Sequence, residues 1–368
     1  MFNKKLYPFE YDLVSHTADT LSDGSVAIIT RTKNRPVLLA RALNSVLEQK
    51  YHNWHLYIVN DGGDKHAVDN LVDVYADQFG DKITVIHNEK SLGMEAASNC
   101  AFHLANEEFM VIHDDDDSWH PDFLLETVAF LKKNQNAVGV ITNCLVIHEE
   151  IHQDTVKELA VFEWGYWKDL IDIENLIQGN VAPPICLLIR MSAAKMIGGY
   201  NEFLPVLGDW DYNLRLFQVG EIKTLNKKLA YYHHRPNANN AYGNSVIAGI
   251  DRHQQYQVEY RNALARQALR ESPSNYALLH ILLHKAETNK NDMIWHIHNS
   301  RGNANIHREG QEDLYEMVYY FYKKVKPFRD FARKLRSKQR AIRQSSKTLR
   351  PFAHKIRDFI RKLRGKNK

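Results

Sequence analysis

Four consecutive aspartates, Asp114, Asp115, Asp116 and Asp117, follow directly on the apolar run Phe109-Met110-Val111-Ile112-His113. The run reads as a buried strand, and Ser118-Trp119-His120-Pro121 reads as the exit into a turn and a new helix. Four carboxylates at a strand end repel one another unless positive charge sits among them. The simplest such partner is a hard divalent cation, Mn²⁺ or Mg²⁺, with a phosphate group on its far side. A solvated acidic face or a loose calcium site has the same composition. The position favours the cation, because open α/β sheets build their ligand sites at the carboxyl ends of strands.

Three further clusters carry chemistry. Thr30-Arg31-Thr32-Lys33-Asn34-Arg35 ends the first apolar run, and Asn60-Asp61-Gly62-Gly63 ends the second. An aspartate there can accept hydrogen bonds from a base N–H, while the glycines let backbone approach a ligand; alone, the same four residues also make an ordinary turn. Gly208-Asp209-Trp210-Asp211 precedes the helical run Tyr212-Asn213-Leu214-Arg215-Leu216. Asp209 reads as a general base whose pKa is lifted by partial burial, or as a plain helix cap. In Tyr231-Tyr232-His233-His234-Arg235-Pro236 the histidines can ligate a metal and the arginine can hold phosphate. No Gly-x-Gly-x-x-Gly follows the first strand and no Gly-x-x-x-x-Gly-Lys-Ser/Thr occurs, so phosphate handling falls to a metal.

The elements that must position these clusters alternate. Strands are expected at 26–30, 56–59, 83–86 and 109–113, then at 137–142, 185–189 and 229–232. Helices open at Asn34 and Pro36, before Val68, after Gly93 and after Pro121, and another spans 211–219. The segment holding Trp164, Tyr166 and Trp167 has no clear period. Such alternation implies an α/β fold with a mainly parallel mixed sheet. Beyond about residue 250 the pattern is helical only, at 254–271, 276–287 and 312–324. The organisation expected is an N-terminal arm over 1–24, an α/β domain over 25–245, a helical C-terminal region over 246–322 and a basic tail over 323–368.

The 368 residues, 44% hydrophobic and 25% charged, have ordinary globular composition. No apolar stretch reaches the roughly 18 residues of a membrane span, and no secretory signal is evident at the start. Cys100, Cys144 and Cys186 lie far apart in apolar contexts, as buried thiols do in a reducing compartment. The net charge of +4 conceals a split. Residues 323–368 hold 19 of the 48 Lys+Arg and 2 of the 44 Asp+Glu, leaving 29 basic against 42 acidic residues elsewhere. In that tail Phe352, Ile356, Phe359, Ile360 and Leu363 recur at helical spacing among Lys355, Arg357, Arg361, Lys362 and Arg364. A basic amphipathic helix of this kind suits an anionic bilayer, or else packs on its own acidic body. Nothing in the chain resembles a nucleic-acid reading module.

Taken in order, these clusters resemble family-2 glycosyltransferases of the GT-A fold, over roughly residues 25–235. The stretch from Val26 through Ser45-Val46-Leu47-Glu48-Gln49 to Asn60-Asp61 is similar to that family's nucleotide-binding opening. Asp114-Asp115-Asp116-Asp117 is similar to its Asp-x-Asp-Asp metal motif, with Trp119 and Pro121 in their usual places. Gly198-Gly199-Tyr200-Asn201-Glu202 resembles the turn before the acceptor site, and Asp209-Trp210-Asp211 with Arg215 resembles the segment bearing the base. The resemblance implies a nucleotide-sugar site made by Thr30, Arg31, Asn34, Asp61, Gly93, Asn99, Asp114 and Asp115. Asp61 would face the base and Asp114 the ribose or a phosphate. It further implies Asp116, with His234, as ligands of Mn²⁺ or Mg²⁺, and Asp209 as the base in an inverting transfer to a hydroxyl. The partners it implies are a nucleotide-diphosphate sugar and a glycan or lipid-linked acceptor, at the cytoplasmic face of a plasma membrane where surface polysaccharide is assembled. Departures from the family pattern are Gly208 for a usual glutamate, Asn60 for an aspartate, Ser98 for an arginine and His113 for a leucine. Two other readings share much of the pattern: a sugar nucleotidyltransferase, which lacks its glycine-rich phosphate loop here, and an inactive nucleotide-sugar-binding scaffold at the membrane.

Overall fold

The computed structural model describes residues 23–152, 155–236, 238, 242–243, 250–272, 284, 286 and 288–295. The chain divides into two compact units, 1–263 and 264–368. The first is the α/β body. Its sheet runs β3-β2-β1-β4-β8-β6-β9-β5, with β7 hanging on β6. The strands are β1 (Val26–Thr32), β2 (Trp54–Asp61), β3 (Ile83–Asn88), β4 (Phe109–Ile112), β5 (Ser118–Trp119), β6 (Ala137–His152), β7 (Thr155–Glu163), β8 (Leu187–Arg190) and β9 (Glu221–His234).

The four-strand block β3-β2-β1-β4 is parallel throughout, as helical crossovers require. These connections carry α1 (Pro36–Leu47), α2 (Lys65–Val74), α3 (Ala76–Phe79) and α4 (Met94–Phe102). Each strand of the central pair is a nearly unbroken buried apolar run, the signature of a strand covered on both faces. Leu39, Leu43 and Val46 of α1 and Ala97, Ala101 and Phe102 of α4 join that core. Beyond β4 the sheet turns mixed: β8 is antiparallel to β4 and β6, while β6 and β9 are parallel. α5 (Phe123–Lys133) leads into β6, α6 (Ile173–Gln178) follows β7, α7 (Met191–Ile197) follows β8 and α8 (Gly208–Phe217) precedes β9. The α/β reading and the mainly parallel arrangement of the N-terminal half therefore hold.

Several elements differ from expectation. β6 and β9 are 16 and 14 residues long, well beyond the expected 137–142 and 229–232. The stretch without a clear period contains an antiparallel hairpin partner, β7, whose residues are almost all exposed. Asp209 is not a cap: α8 is capped by Leu207 in the left-handed region, and Asp209 is the second helical residue. The three cysteines are free, two of them buried. α9 (Ile250–Glu271) begins in the first unit, where Tyr260 donates to Asp211 at 2.7 Å and Arg261 to the carbonyl of Gln178 at 2.8 Å. In the second unit the described residues 264–271 and 288–295 are helical. The helix expected at 312–324, most of that at 276–287, all but the last two residues of the arm over 1–24, and the basic tail lie outside the described residues.

Candidate active site

The aspartate run leaves β4 at the carboxyl edge of the sheet, with the His113 N–H still bonded to the Ile29 carbonyl of β1 at 2.8 Å. A tight turn follows, closed by Asp117 N–H to the Asp114 carbonyl at 3.1 Å. Trp119 pins its far end. The indole stacks on Phe123 with centroids 4.5 Å apart, its Nε1 donates to the Ile185 carbonyl, and its backbone N–H donates to the Ser45 hydroxyl at 2.7 Å. Four carboxylates are thus held on a rigid loop.

Guanidinium groups supply the positive charge among them. Arg31 of β1 grips Asp114 in a two-pronged pair at 2.7 and 2.6 Å. Arg35 pairs with buried Asp115 at 2.6 Å and reaches Asp116 at 3.6 Å. Arg235, at the end of β9, pairs with Asp116 and with Glu149 of β6. Glu149 also binds Arg41 at 2.6 Å and His233 Nδ1 at 2.8 Å. A carboxylate only accepts, so Nδ1 carries the proton and Nε2 of His233 accepts from the Ser118 hydroxyl. Asp117 accepts the backbone N–H of His233. Burial pushes the Asp115 and Asp117 carboxyls above the usual range, against the pull of Arg35 on Asp115. Burial also raises Glu149, but His233 and Arg41 outweigh it and hold Glu149 at about 2.

Asp209 faces this loop from α8. Its Oδ2 accepts from Asn180 Nδ2 at 2.6 Å and its Oδ1 from the Trp210 N–H at 2.8 Å. Burial raises its pKa above the ordinary aspartate value, the Trp210 bond and Arg31 opposing. Asp114, Asp116, Asp117 and Asp209 line one cleft with Arg31, Glu95, Tyr232 and His253. The cleft has a volume of about 100 Å³.

The remaining sequence-derived candidates, Thr30, Asn34, Asp61, Gly93, Asn99, Asp115 and His234, are not among the residues lining this cleft. The Asp61 carboxylate accepts from Asn88, Ser91 and the N–H groups of Leu92 and Gly93 at 2.6–3.1 Å. These bonds hold its pKa low in spite of burial. Asp61 therefore orders the loop that delivers α4, and hence Met94 and Glu95, to the cleft. Gly93 makes that entry in the left-handed region at φ +99°. Asn34, at φ +55°, accepts from the Asp64 N–H and steadies the loop after β2. Asn99 ties α4 to the Tyr200 backbone in both directions and to Glu202. Thr30 is wholly buried and its hydroxyl has no hydrogen-bond partner among the described residues. His234 packs between His148 and Tyr232, and its Nε2 is buried with no hydrogen-bond partner among the described residues.

Sequence reasoning missed Glu95, Glu149, Asn180 and His253. Glu95 left a faint signal as the one charged residue in the small-residue run Met94-Glu95-Ala96-Ala97-Ser98. Glu149 left none, because its partners lie 84 to 108 positions away.

The model of the family described as Glycosyl transferase family 2 matches residues 27–198. This segment is a family-2 glycosyltransferase domain. It spans β1 through α7, the aspartate loop included, and stops short of Asp209 on α8. Escherichia coli (strain K12) WcaA, assigned by name to glycosyl transfer in colanic acid biosynthesis, is 37% identical over 157 residues, covering 42% of this chain and 55% of its own. The PGL/p-HBAD biosynthesis glycosyltransferase of Mycobacterium bovis (strain BCG / Pasteur 1173P2) is 25% identical over 192 residues, 52% of this chain and 69% of the relative. Among solved structures, S. aureus TarS 1-349 in complex with UDP-GlcNAc covers 60% of this chain and 62% of its own at 17% identity, with a TM-score of 0.49, too low to add to the topology. The chain spans between about half and about two thirds of the length of these proteins.

Proposed function

We propose that this glycosyltransferase moves a sugar from a nucleotide-diphosphate sugar to a hydroxyl of a glycan or lipid-linked acceptor, in the assembly of a surface polysaccharide. The observation that carries the reading is that Asp116, on the loop after β4, and Asp209, on α8, line the same cleft. Asp209 takes the acceptor proton. Its raised pKa makes it a better base than an exposed aspartate, and Asn180 and Trp210 N–H fix its orientation. The freed oxygen bonds to the anomeric carbon as the bond to the diphosphate breaks, which inverts the centre when attack comes from the opposite face. Arg31, which lines the cleft, can take up charge from the departing diphosphate by exchanging its carboxylate partner for phosphate.

The residues fit a divalent cation. No group of three His, Cys, Asp or Glu is preformed among the described residues. Yet Mg²⁺ and Mn²⁺ are commonly bound by one or two protein ligands, the rest being water and phosphate oxygen. Asp116 lines the cleft, and His234, which does not, feels the Asp116 charge and has a buried Nε2 with no hydrogen-bond partner among the described residues. Asp116 and His234 would hold the cation, with Arg235 displaced from Asp116. Once bound, it would stabilise negative charge on the leaving diphosphate. A cleft of about 100 Å³ must widen to take a donor, since ligand sites typically enclose roughly 300–1,000 Å³.

The basic tail over 323–368 supports a peripheral place on the anionic inner face of a plasma membrane. No helix among the described residues is long and apolar enough to cross a membrane. The test of the nucleotide half is a thermal-shift screen of UDP, GDP, dTDP and CDP with Mn²⁺, with and without chelator. One diphosphate should stabilise the protein only when metal is present, by about 2.7 kcal/mol at 100 times its dissociation constant. No shift with any of the four would contradict the reading.

A further inference from the structure

Gly208 lies outside the left-handed region, so its backbone does not demand glycine. What demands it is Glu95. A Cβ built on Gly208 would overlap the Glu95 Oε1 and Cγ and lie 2.6 Å from Cδ. The carboxyl group of Glu95 therefore fills the space of a missing side chain at position 208. Glu95 is 6% exposed, lines the cleft beside Asp209, and accepts no hydrogen bond from another residue among those described. Arg31 is the cation that draws on it. The carboxyl opens on the cleft, where burial already disfavours its charge, so packing within the fold alone gives no reason for a carboxylate here.

The chemistry of the position narrows the ligand. A carboxylate accepts hydrogen bonds and repels phosphate, so it does not serve the diphosphate. It sits against the residue preceding the base, on the side where the nucleophile must lie. We propose that Glu95 is the acceptor-binding carboxylate of this cleft, set on α4 in place of a side chain at position 208, and that it holds a hydroxyl of a polyol acceptor neighbouring the one that Asp209 deprotonates. This rests on the transfer reading above. It assigns the acceptor class: a sugar or other polyol with two hydroxyls within one residue's reach, in preference to a lone alcohol.

The test uses the full chain, with octyl glucoside, octyl galactoside and octyl mannoside as acceptor probes. The variants are Glu95→Gln, Glu95→Ala, Gly208→Ala and the double variant Glu95→Ala/Gly208→Glu. The carboxyl sits on a rotatable stem, so Gly208→Ala displaces it without unfolding the protein. Glu95→Gln, Glu95→Ala and Gly208→Ala should each raise the acceptor KM at least about tenfold, with a smaller fall in kcat and no change in nucleoside diphosphate affinity. Gly208→Ala should add nothing in the Glu95→Ala background, as expected when two changes disturb one interaction. The double variant, which returns a carboxylate to the same space from α8, should recover most of the lost affinity. Glu95→Gln should also melt above wild type by a few degrees. An unchanged acceptor KM in Glu95→Ala, or no recovery in the double variant, would overturn the proposal. If wild type transfers to no probe from any nucleotide-sugar, the transfer reading fails by itself. The melting order then decides: Glu95→Gln above wild type supports a carboxylate kept for a ligand, and Glu95→Gln below it makes Glu95 structural.

Discussion

Glu149 shows how single residues set the conditions under which this cleft exists. It is buried, joins Arg41, Arg235 and His233, and is held at about 2 against an ordinary value of 4.5. A carboxyl whose folded pKa is depressed contributes stability above its unfolded value and loses it as pH falls through the folded one. The protein should therefore lose stability as pH drops from about 4.5 to about 2, measured by urea unfolding across that range. Glu149→Gln should flatten that dependence and cost about 3–5 kcal/mol at neutral pH, because buried Arg235 and half-buried Arg41 lose the carboxylate they share. Equal pH slopes in the two proteins would contradict this. Asp209 is shifted the other way by burial, so the acid limb of the transfer rate should lie above the ordinary aspartate value of 3.8. At this scale Asp116, Asp114, Arg31 and Asp209 were legible in the sequence, and all four line the cleft. The engagement of Asp61 was not legible. Two of its four donors are backbone N–H groups, which no residue type advertises.

Elements were legible where burial is continuous and opaque where it is not. β1 and β4 are apolar runs and could be read directly. β6 was cut short because its second half carries His148, Glu149 and Glu150, whose polar groups meet arginines and β7 in place of a core. β7 is exposed on both faces and has no hydrophobic period to read. The loop over 88–93 is held by Asp61 and turned into α4 at Gly93. A Cβ on Gly93 would meet nothing within 4 Å, so a substitution there acts through backbone strain alone. Gly93→Val should cost roughly 1–3 kcal/mol and weaken nucleoside diphosphate binding in the same thermal-shift format. Unchanged stability would show that the loop does not need the left-handed turn.

The whole chain joins an acidic body to a basic tail, and composition alone exposed that division. Removing 323–368 should abolish co-flotation with vesicles rich in anionic lipid; equal flotation of full-length and truncated protein would contradict membrane attachment through the tail. The segment that matches the family-2 model, 27–198, was legible because its motifs lie at strand ends, in chain order. The contribution of α9 was not, because Tyr260 and Arg261 reach the body across 49 and 83 positions of sequence. The central claim is that Asp209 acts as the base in a cleft shared with Asp116. The most direct measurement is sugar transfer from a nucleotide-sugar panel in the presence of Mn²⁺, by wild type and by Asp209→Asn. The account predicts turnover by wild type and a loss of about 10²–10⁴-fold in kcat for Asp209→Asn, with melting temperature and diphosphate binding retained. An Asp209→Asn protein that transfers sugar at the wild-type rate would contradict it.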